Sequence, residues 1–586
     1  MFSVEDIYKA GFALGALSLL LFFLGHLGLI AAPYLALSCV AAGGFFLLSV
    51  RGRRTKFSSR LSPLEVLLLS FTVILLLAIF PLALTPPTVR DELIQHLALP
   101  KLYLAKGRIF EIPFMGFSYL PQNIDMLYMV PLAFGADMGP RLIHMGFAAL
   151  TGLLVYFYLL PGSGRAYALL GLFLYLATPL SVNLSRIAYI DHGAAFFSTL
   201  ALMAALRWRE EGFPSKWLIY SAVSMGLALG AKYNTVLSFA LIGAFIVHAR
   251  AKDRRSIQGA LWAGAVFAVV AVAVLSPWLI RNYAWKGSPF YPLWESAMQA
   301  SAKGEGIHVT SEMAPVGKRF LLYGEGVIDI VLLPLRLFWE GADNSIRRFD
   351  GVLNPFFLAF MPLAFIGKRR GDGDIKFLAV FSFLFLVLAF LTVDLVTRYL
   401  MPVIPLIVIL VTLGFRNLVE ARRLGWLAGA VMAALIVFDA AYINGLYKRH
   451  APFQYLSGSE SREQYLSKRL PDYDAVSYAN RTLPADAKVM LLFAGDRGYY
   501  WEREYAYSDR NGITVRRLIR ASPDGLGLKE RFYGAGATHL FLNDTLMAKF
   551  LNDNLDEKEI AVAADFFNNH AARLYSANGF SLFGLK

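Results

Sequence analysis

Two adjacent carboxylates, Asp91 and Glu92, are the residues of this sequence best suited to proton transfer. They follow the apolar run 62–84 in the segment TPPTVRDELIQHLALPKLYLAKG. A carboxylate that is partly desolvated at the end of such a run can take a proton from a hydroxyl group. The same stretch fits a capping box, with Thr88 as N-cap, Asp91 reaching back and Glu92 suiting the helix dipole. Both roles can coexist, and the sequence leaves both open.

A third acid, Asp191, stands in SRIAYIDHGAAFF, where a polar break meets the next apolar run. It is either an N-cap of that run or a second acid of the same site. Asp91 and Asp191, with a third ligand such as Glu111, are candidate ligands of a divalent cation, although no spacing rule supports this set. His96 and His192 are candidate substrate ligands; as metal ligands they are less favoured than as hydrogen-bonding residues at helix ends.

Five residues are candidates for binding a phosphate: Lys232, Arg281, Lys286, Arg398 and Tyr399. Each basic residue stands where an apolar run begins or ends, and snorkelling to the membrane interface is the alternative for each. Loops on the outer side of a membrane are usually poor in Lys and Arg. The orientation predicted below puts these residues on that side, so their number there is unusual. Arg398 is the strongest candidate, because a planar guanidinium can bind a phosphate through two hydrogen bonds.

The composition indicates a membrane protein. Of 586 residues, 57% are hydrophobic and only 17% are charged, whereas soluble proteins have about 25% charged residues. This excludes an ordinary cytosolic enzyme and a disordered chain. Cys39 is the only cysteine, which excludes an internal disulfide and a cysteine zinc motif. The net charge is +14, but no basic arm with interleaved aromatic residues is present, so nucleic-acid binding is not expected.

The apolar runs predict a polytopic α-helical membrane protein with about thirteen transmembrane helices. The candidates are 9–30, 32–50, 62–84, 140–160, 166–182, 193–207, 216–231, 233–249, 258–279, 350–366, 376–394, 399–415 and 424–445. The first run is preceded by Glu5 and Asp6 and followed at once by a second run, which is atypical of a signal peptide.

Basic residues in alternate loops predict the orientation. If the N-terminus is cytoplasmic, the loops rich in Lys and Arg all fall on the cytoplasmic side, and residues 85–139, 183–192, 280–349, 395–398 and those after 445 fall outside. We therefore expect a multi-pass protein of the cytoplasmic (inner) membrane. The basic residues concerned are Arg51, Arg53, Arg54, Lys56, Arg207, Arg209, Lys216, Arg250, Lys252, Arg254, Arg255, Lys368, Arg369, Arg370, Arg416, Arg422 and Arg423.

Two domains are predicted: a transmembrane catalytic domain over 1–445 and an outer α/β domain over 446–586. In the first, the patterns of 89–106 and 121–134 predict amphipathic helices in the outside loop 85–139. In the second, short apolar runs predict strands and the stretches between them predict helices. The expected strands lie in 488–493, 499–505, 538–543 and 572–586, and the expected helices in 524–534 and 556–570.

The chain resembles the GT-C superfamily of integral membrane glycosyltransferases. It is most similar to the branch of protein O-mannosyltransferases and of the aminoarabinose transferase that modifies lipid A (glycosyltransferase family 39-like). The resemblance covers roughly residues 62–415 and the plan of an outer C-terminal domain. It rests on Asp91-Glu92 and on the stretches HLALPKLYL, YLPQNIDMLYM, AYIDHGAAFF, GLALGAKYN, PWLIRNYAWKGSPFYP and TRYLMP, in that order.

The resemblance implies a polyprenyl-phosphate-linked sugar as donor and a hydroxyl group of a lipid, glycan or protein as acceptor. Asp91 would take the role of base or acceptor ligand, Asp191 would match the second acid, and Arg398 the basic residue before a Pro-containing helix. The apolar pair 9–50 precedes the similar region and departs from the family pattern. The predicted activity is an inverting glycosyl transfer, and the sequence indicates no definite cofactor and leaves a divalent cation open.

Two other functions stay open. A transporter or flippase of lipid-linked sugars would carry ionisable residues near the bilayer midplane and inverted repeats, whereas the acids here stand at the ends of apolar runs and no repeat is visible. A polymerase or ligase that uses a diphosphate-linked glycan would share the membrane side and the type of carrier. Analysis of the donor separates this last function from the first.

Overall fold

The computed structural model describes residues 3–50, 60–254, 256–293, 315–366, 372–392, 395–421, 425–508 and 512–585. The chain divides into two compact units. The helical unit comprises Met1–Thr85, Lys106–Ile109 and Tyr119–Pro452, and the sheet unit comprises Pro86–Ala105, Phe110–Ser118 and Phe453–Lys586. Ten basic residues of the orientation argument lie outside the described residues: Arg51, Arg53, Arg54, Lys56, Arg255, Lys368, Arg369, Arg370, Arg422 and Arg423.

The helical unit is built mainly from apolar helices. Its α-helices are Val4–His26, Ala32–Val50, Pro63–Ala83, Asn123–Ala133, Gly139–Ser163, Arg165–Ala177, Pro179–Ser185, Asp191–Glu210, Ser215–Ala231, Val236–Arg254, Ile257–Lys286, Pro315–Tyr323, Val327–Val331, Leu333–Arg336, Phe357–Phe360, Asp372–Thr392, Ile404–Glu420 and Gly425–His450. Its 3₁₀ turns are Tyr233–Thr235, Ile346–Arg348, Met361–Phe365 and Thr397–Leu400.

Within the described ranges, eight helices are long and apolar enough to cross a membrane, or nine if a bent pair counts as one span. The bent pair is Arg165–Ala177 with Pro179–Ser185, at an angle of 63°. Eight predicted crossings coincide with these eight helices, which confirms a multi-pass membrane protein. The predicted count of thirteen is not confirmed. The predicted crossings 193–207, 216–231 and 399–415 are helices that do not meet the same criterion of length and hydropathy.

The predicted crossing 350–366 is wrong as a single helix. The structure has a short helix, Phe357–Phe360, followed by the 3₁₀ turn Met361–Phe365. Pro355 and Pro362 explain the break, because proline lacks the amide donor and clashes with the preceding helical turn.

The helix Asp191–Glu210 is at the core of the helical unit, with nearly all its residues buried. It packs against Ser215–Ala231, which in turn packs against Ile257–Lys286. The last two helices approach so closely that a Cβ at Gly226 would collide with the carbonyl oxygen of Ala271. A buried amide ties the same region together, since Asn123 Nδ2 donates to Leu227 O at 3.2 Å and Trp278 Nε1 donates to Asn123 Oδ1 at 2.7 Å.

The sheet unit contains five strands in the order β2-β1-β3-β5-β4. β1 pairs in parallel with β2 and β3, while β5 pairs antiparallel with β3 and β4. The hairpin β4–β5 turns at Asn578 and Gly579, both with positive φ, as a tight hairpin requires. The strands are β1 (Lys488–Leu492), β2 (Glu504–Tyr507), β3 (His539–Asn543), β4 (Ala571–Ala577) and β5 (Phe580–Leu585).

Helices cover both faces of this sheet, and each face has its own apolar core. The helices are Ala98–Lys106, Pro452–Leu456, Arg462–Arg469, Tyr473–Thr482, Ile513–Arg520, Gly525–Gly534, Asp544–Asn554 and Glu557–Asp565, with a 3₁₀ turn at Gly116–Tyr119 and π turns at Glu92–His96 and Phe566–His570. The predicted strands at 488–493 and 538–543 and the predicted C-terminal domain are confirmed. The strand predicted at 499–505 begins only at Glu504.

Two stretches of the predicted outside loop 85–139, residues 86–105 and 110–118, belong to the sheet unit. Leu102 and Phe114 pack on the core that contains Leu491, Trp501 and Phe541. The ring of Phe114 also lies 5.0 Å from that of Tyr507. Burial of these side chains explains why 86–105 and 110–118 fold with the C-terminal residues. The predicted division after residue 445 stays a prediction.

Candidate active site

Asp91 and Glu92 have different environments in the sheet unit. Glu92 is fully buried, and its Oε2 accepts a hydrogen bond from the backbone N–H of Val89 at 3.2 Å. Asp91 is partly exposed and makes no capping hydrogen bond in its helix. Glu92 therefore reaches back to the start of the helix, and the predicted reach of Asp91 towards Thr88 stays a prediction. Asp91 is thus partly desolvated, and its role as a base stays a prediction.

The segment after Asp91 is a π-helical turn, Glu92–His96, followed by the α-helix Ala98–Lys106. A continuous helix over 89–106 was expected, so the π turn is a departure from the simple pattern. Such turns widen a helix by one residue and occur frequently at functional sites. His96 is buried in this turn, with Gln95 Nε2 at 3.2 Å from its Nε2, so its geometry is that of a packed helix residue. Its role as a substrate ligand stays a prediction.

In the helical unit, Asp191 is bound by Lys232. Lys232 Nζ lies 2.6 Å from Asp191 Oδ1, and only 2% of the Asp191 side chain is exposed. Asp191 is the first residue of its helix, whose N-cap is Ile190, so it favourably faces the positive end of the helix dipole. Lys232 directly follows the helix Ser215–Ala231 in an extended conformation, which directs the chain away from the helix axis.

Arg398 and Tyr399 join this pair. Lys232 Nζ lies 4.4 Å from the centre of the Tyr399 ring, and the Arg398 guanidinium lies 4.7 Å from the ring of Tyr189. The same guanidinium lies 5.5 Å from the centre of the Tyr399 ring. We call Asp191, Lys232, Arg398 and Tyr399 the Asp191 cluster. Two cations and one carboxylate give it a net charge of about +1, which suits an anion.

The 3₁₀ turn Thr397–Leu400 positions Arg398 and Tyr399, and its neighbours fix that turn. Both the backbone N–H and the hydroxyl of Thr397 donate to Phe349 O, at 2.7 and 2.9 Å. Asn234 Nδ2 donates to Tyr399 O at 3.1 Å. Thr397 and Asn234 were not among the residues predicted from the sequence. Their only sequence signal is adjacency to Arg398 and to Lys232.

Arg281 and Lys286 contact a different set of side chains, which is aromatic. The Arg281 guanidinium lies 4.7 Å from the ring of Trp278 and 4.9 Å from that of Trp285, and Nη2 donates to Asn282 Oδ1 at 2.8 Å. Lys286 is exposed and lies 5.3 Å from the ring of Tyr119. These contacts are those of residues that anchor the end of the helix Ile257–Lys286, and phosphate binding by either one stays a prediction.

His192 is fully buried beside the Asp191 cluster. Its Nδ1 lies 3.3 Å from Tyr175 Oη, and its Nε2 lies 3.2 Å from Ser185 Oγ. Its backbone N–H donates to His144 Nε2 at 2.9 Å. Both ring nitrogens therefore have protein partners, as expected of a hydrogen-bonding residue at a helix end. Substrate binding by His192 stays a prediction.

A further polar cluster is centred on Asp343, which the sequence analysis did not single out. Its side chain accepts hydrogen bonds from Asn183, Tyr442 and Arg449, at 3.4, 2.8 and 3.0 Å. Asn183 Oδ1 in turn accepts from Arg186 Nε at 2.9 Å. These residues come from three distant parts of the sequence, so no local pattern could have indicated the cluster.

Among the described residues, no group of three His, Cys, Asp or Glu side chains is arranged to hold a metal ion. Asp91 and Asp191, the candidate cation ligands, belong to different units, Asp91 to the sheet unit and Asp191 to the helical unit. A cation site made from them, with or without Glu111, stays a prediction.

Known proteins share parts of this sequence and its fold. Residues 123–286, which include Asp191 and Lys232, match the family model for dolichyl-phosphate-mannose-protein mannosyltransferase. The structure is similar to the crystal structure of ArnT from Cupriavidus metallidurans bound to undecaprenyl phosphate. The TM-score is 0.56 and the identity 15%, over 89% of this chain and 98% of that chain. The chain has the GT-C fold.

This confirms, at the level of the fold, the resemblance to GT-C glycosyltransferases seen in the sequence. The apo form of the same ArnT gives the same TM-score, identity and coverage. The archaeal oligosaccharyltransferase AglB from Archaeoglobus fulgidus, in complex with an inhibitory peptide and a dolichol-phosphate, matches with a TM-score of 0.45 and 13% identity, over 89% of this chain and 74% of that chain. No curated protein sequence matches the chain.

Proposed function

We propose that this GT-C protein is an inverting glycosyltransferase. It moves a monosaccharide from a polyprenyl-phosphate carrier to a hydroxyl group of a lipid, glycan or protein. The observation that carries the proposal is the Asp191 cluster, a cationic group suited to a phosphate, in a fold shared with a protein whose crystal structure holds undecaprenyl phosphate. The matched mannosyltransferase family model supports the same class of donor.

Arg398 and Lys232 act on the leaving group. When the bond between the anomeric carbon and the phosphate oxygen breaks, the electron pair stays on the phosphate and negative charge develops there. Cations already fixed at that position stabilise this charge without reorganising during the reaction. The ion pair with Asp191, at 2.6 Å, fixes the position of Lys232. The two hydrogen bonds from Thr397 to Phe349 O fix the turn that carries Arg398.

Asp91 acts on the acceptor. The acceptor hydroxyl attacks the anomeric carbon from the face opposite the phosphate, and its proton passes to the Asp91 carboxylate. One displacement inverts the configuration and releases polyprenyl phosphate. Asp91 is suited to this role because it is partly exposed, whereas Glu92 is buried and bonded to its own helix start. The proposal thus separates the adjacent acids into a base and a structural residue.

We propose that the reaction takes place at the outer face of the cytoplasmic membrane, with the N-terminus cytoplasmic. Alternation of basic loops in the sequence supports this orientation. Nucleotide sugars are scarce outside the cytoplasm, which agrees with a lipid carrier as donor. Reporter fusions at residue 586 and in the turn at residue 212 test the orientation: alkaline phosphatase should be active at the first position and inactive at the second, and the reverse would contradict it.

A transfer assay tests the activity. The purified protein in lipid nanodiscs is incubated with radiolabelled polyprenyl-phosphate monosaccharides and membrane lipid or protein acceptors, and the glycosylated product is counted. We expect Lys232→Met to lose at least tenfold in rate, while Lys216→Met, a lysine that pairs with Glu5 in the same unit, keeps the wild-type rate. Movement of labelled lipid across the bilayer without a new glycosidic bond would instead identify a flippase.

A further inference from the structure

The loop between β1 and β2 contacts the segment that carries Asp91 on both sides of that residue. The backbone N–H of Tyr499 donates to Leu93 O at 3.0 Å, and the Tyr500 hydroxyl donates to Pro87 O at 2.7 Å. Pro87 precedes Asp91 by four residues and Leu93 follows it by two. All these residues belong to the sheet unit. The two hydrogen bonds therefore bracket the turn from which the carboxylate projects.

A lysine adds a third connection. Lys101 Nζ donates to Tyr499 O at 2.7 Å and to Trp501 O at 3.0 Å. Lys101 lies on the helix that follows the π turn, so it ties the far end of the acidic segment to the same loop. Burial lowers the pKa of Lys101, and the charge of Glu502 opposes this shift. A desolvated ammonium group depends on its carbonyl acceptors, which makes this connection specific.

The loop itself is fixed to the core of the sheet unit. The Trp501 ring is buried and lies 5.2 Å from that of Phe541 in β3. Asn480 Nδ2 donates to Tyr500 O at 2.8 Å, and Asn480 Oδ1 accepts from the N–H of Glu502 at 3.0 Å. Contacts with the sheet and with the helix Tyr473–Thr482 thus restrain the loop, and the loop in turn restrains the acidic segment.

We propose that Tyr499, Tyr500 and Lys101 are positioning residues for Asp91, so that the C-terminal part of the chain sets the geometry of proton transfer. This inference rests on the proposed function. A base must lie within hydrogen-bond reach of the proton it removes, and a displacement of about 1 Å can cost about a hundredfold in rate. In this proposal the sheet unit supplies the frame for the base.

The test uses the full chain and a matched pair of variants. Tyr500→Phe removes only the hydroxyl bonded to Pro87, and Tyr533→Phe removes a hydroxyl that donates to Leu585 O at 3.0 Å, away from the acidic segment in sequence. We expect Tyr500→Phe to lower kcat about tenfold, to leave the KM for the lipid donor within about twofold, and to shift the acid limb of the kcat–pH profile. Tyr533→Phe should change none of these.

Lys101 gives a second comparison. Lys101→Met should lower kcat, and Lys101→Arg should restore part of it, since Arg can still donate to the two carbonyl oxygens. Hydrogen exchange of residues 88–97 should accelerate in Tyr500→Phe and Lys101→Met but not in Tyr533→Phe. This readout does not require turnover, so it applies even to a variant of low activity.

The failure of this inference is distinguishable from that of the proposed function. If Asp91→Asn abolishes transfer while Tyr500→Phe and Lys101→Met keep the wild-type kcat, pH profile and hydrogen exchange, the positioning role is overturned and the function stands. If the folded Asp91→Asn protein transfers sugar at the wild-type rate, the base assignment falls, and the positioning role falls with it.

Discussion

Lys232 Nζ lies 2.6 Å from Asp191 Oδ1, and this ion pair joins the end of one helix to the beginning of another. The side chains of Asp191 and Lys232 are 2% and 16% exposed. The pair therefore has a structural consequence besides the catalytic one proposed above, because a charge buried without its partner is costly.

The ion pair predicts a non-additive effect on stability. Asp191→Asn or Lys232→Met alone should each lower the free energy of unfolding by about 3 kcal/mol, since each leaves a buried charge without its partner. The double variant should lose clearly less than the sum of the two. Thermal unfolding of the four proteins in one detergent measures this. Strictly additive losses would contradict coupling between the two residues.

Arg398 should dominate the affinity for the carrier. Undecaprenyl phosphate, the lipid named in the ArnT structure, is the probe, and its Kd is measured by tryptophan quenching. Charge-assisted hydrogen bonds contribute about 1.5–3 kcal/mol each, so Arg398→Ala should weaken binding about tenfold to a hundredfold. Arg250→Ala removes an arginine that pairs with Asp253 and should leave the Kd unchanged. Equal affinity in both variants would remove Arg398 from the phosphate site.

The adjacent acids should separate in their effects. Asp91→Asn should keep the melting temperature and lose at least a hundredfold in transfer rate, the usual scale of a general base. Glu92→Met should lower the free energy of unfolding by about 1 kcal/mol, the typical cost of a lost helix cap, because Val89 N–H loses its acceptor. Melting curves and transfer assays on both variants measure these two effects. A stable, inactive Glu92→Met protein with a fully active Asp91→Asn protein would reverse the two roles.

His539 predicts a pH dependence of the sheet unit. Burial lowers the pKa of this histidine below its ordinary value of 6.5. The folded state therefore favours the neutral ring, and the unfolded chain binds the proton first as the pH falls. Stability present above pH 6.5 should decrease as the pH falls from there towards the lower folded pKa.

Melting temperatures of the full chain at pH 7.5 and pH 5 measure this effect. The difference between the two should shrink in His539→Gln and persist in His570→Gln, a second histidine of the same unit. An unchanged difference in His539→Gln would show that another group is responsible.

The sequence predicted the helices well because a run of about 20 apolar residues is a signal in one dimension. It failed at 350–366, where overall hydrophobicity concealed the effect of Pro355 and Pro362. The strand predicted at 499–505 failed in its first half for a related reason. Tyr499, Tyr500 and Trp501 have high strand propensity, but Trp501 is buried against Phe541 as part of a loop.

The sequence identified the residues of the candidate site, but it did not show which of them contact each other. Asp191 and Lys232 are 41 residues apart, and Arg398 is far from both in sequence, so no spacing rule connects them. The hydrogen bond from Val89 N–H to Glu92 depends on the backbone geometry of the π turn, which the sequence does not reveal. The contact of the acidic segment with Tyr499 and Tyr500 depends on the folding of residues about 400 positions away.

A cryo-electron microscopy map of the protein with undecaprenyl phosphate bound would show whether the Asp191 cluster binds the phosphate of the carrier. We expect a phosphate oxygen at about 2.7–2.9 Å from the Arg398 guanidinium, the usual length of a charge-assisted hydrogen bond, with Lys232 beside it and still paired with Asp191. Phosphate density at another position, with Arg398 and Lys232 remote from the lipid headgroup, would contradict it.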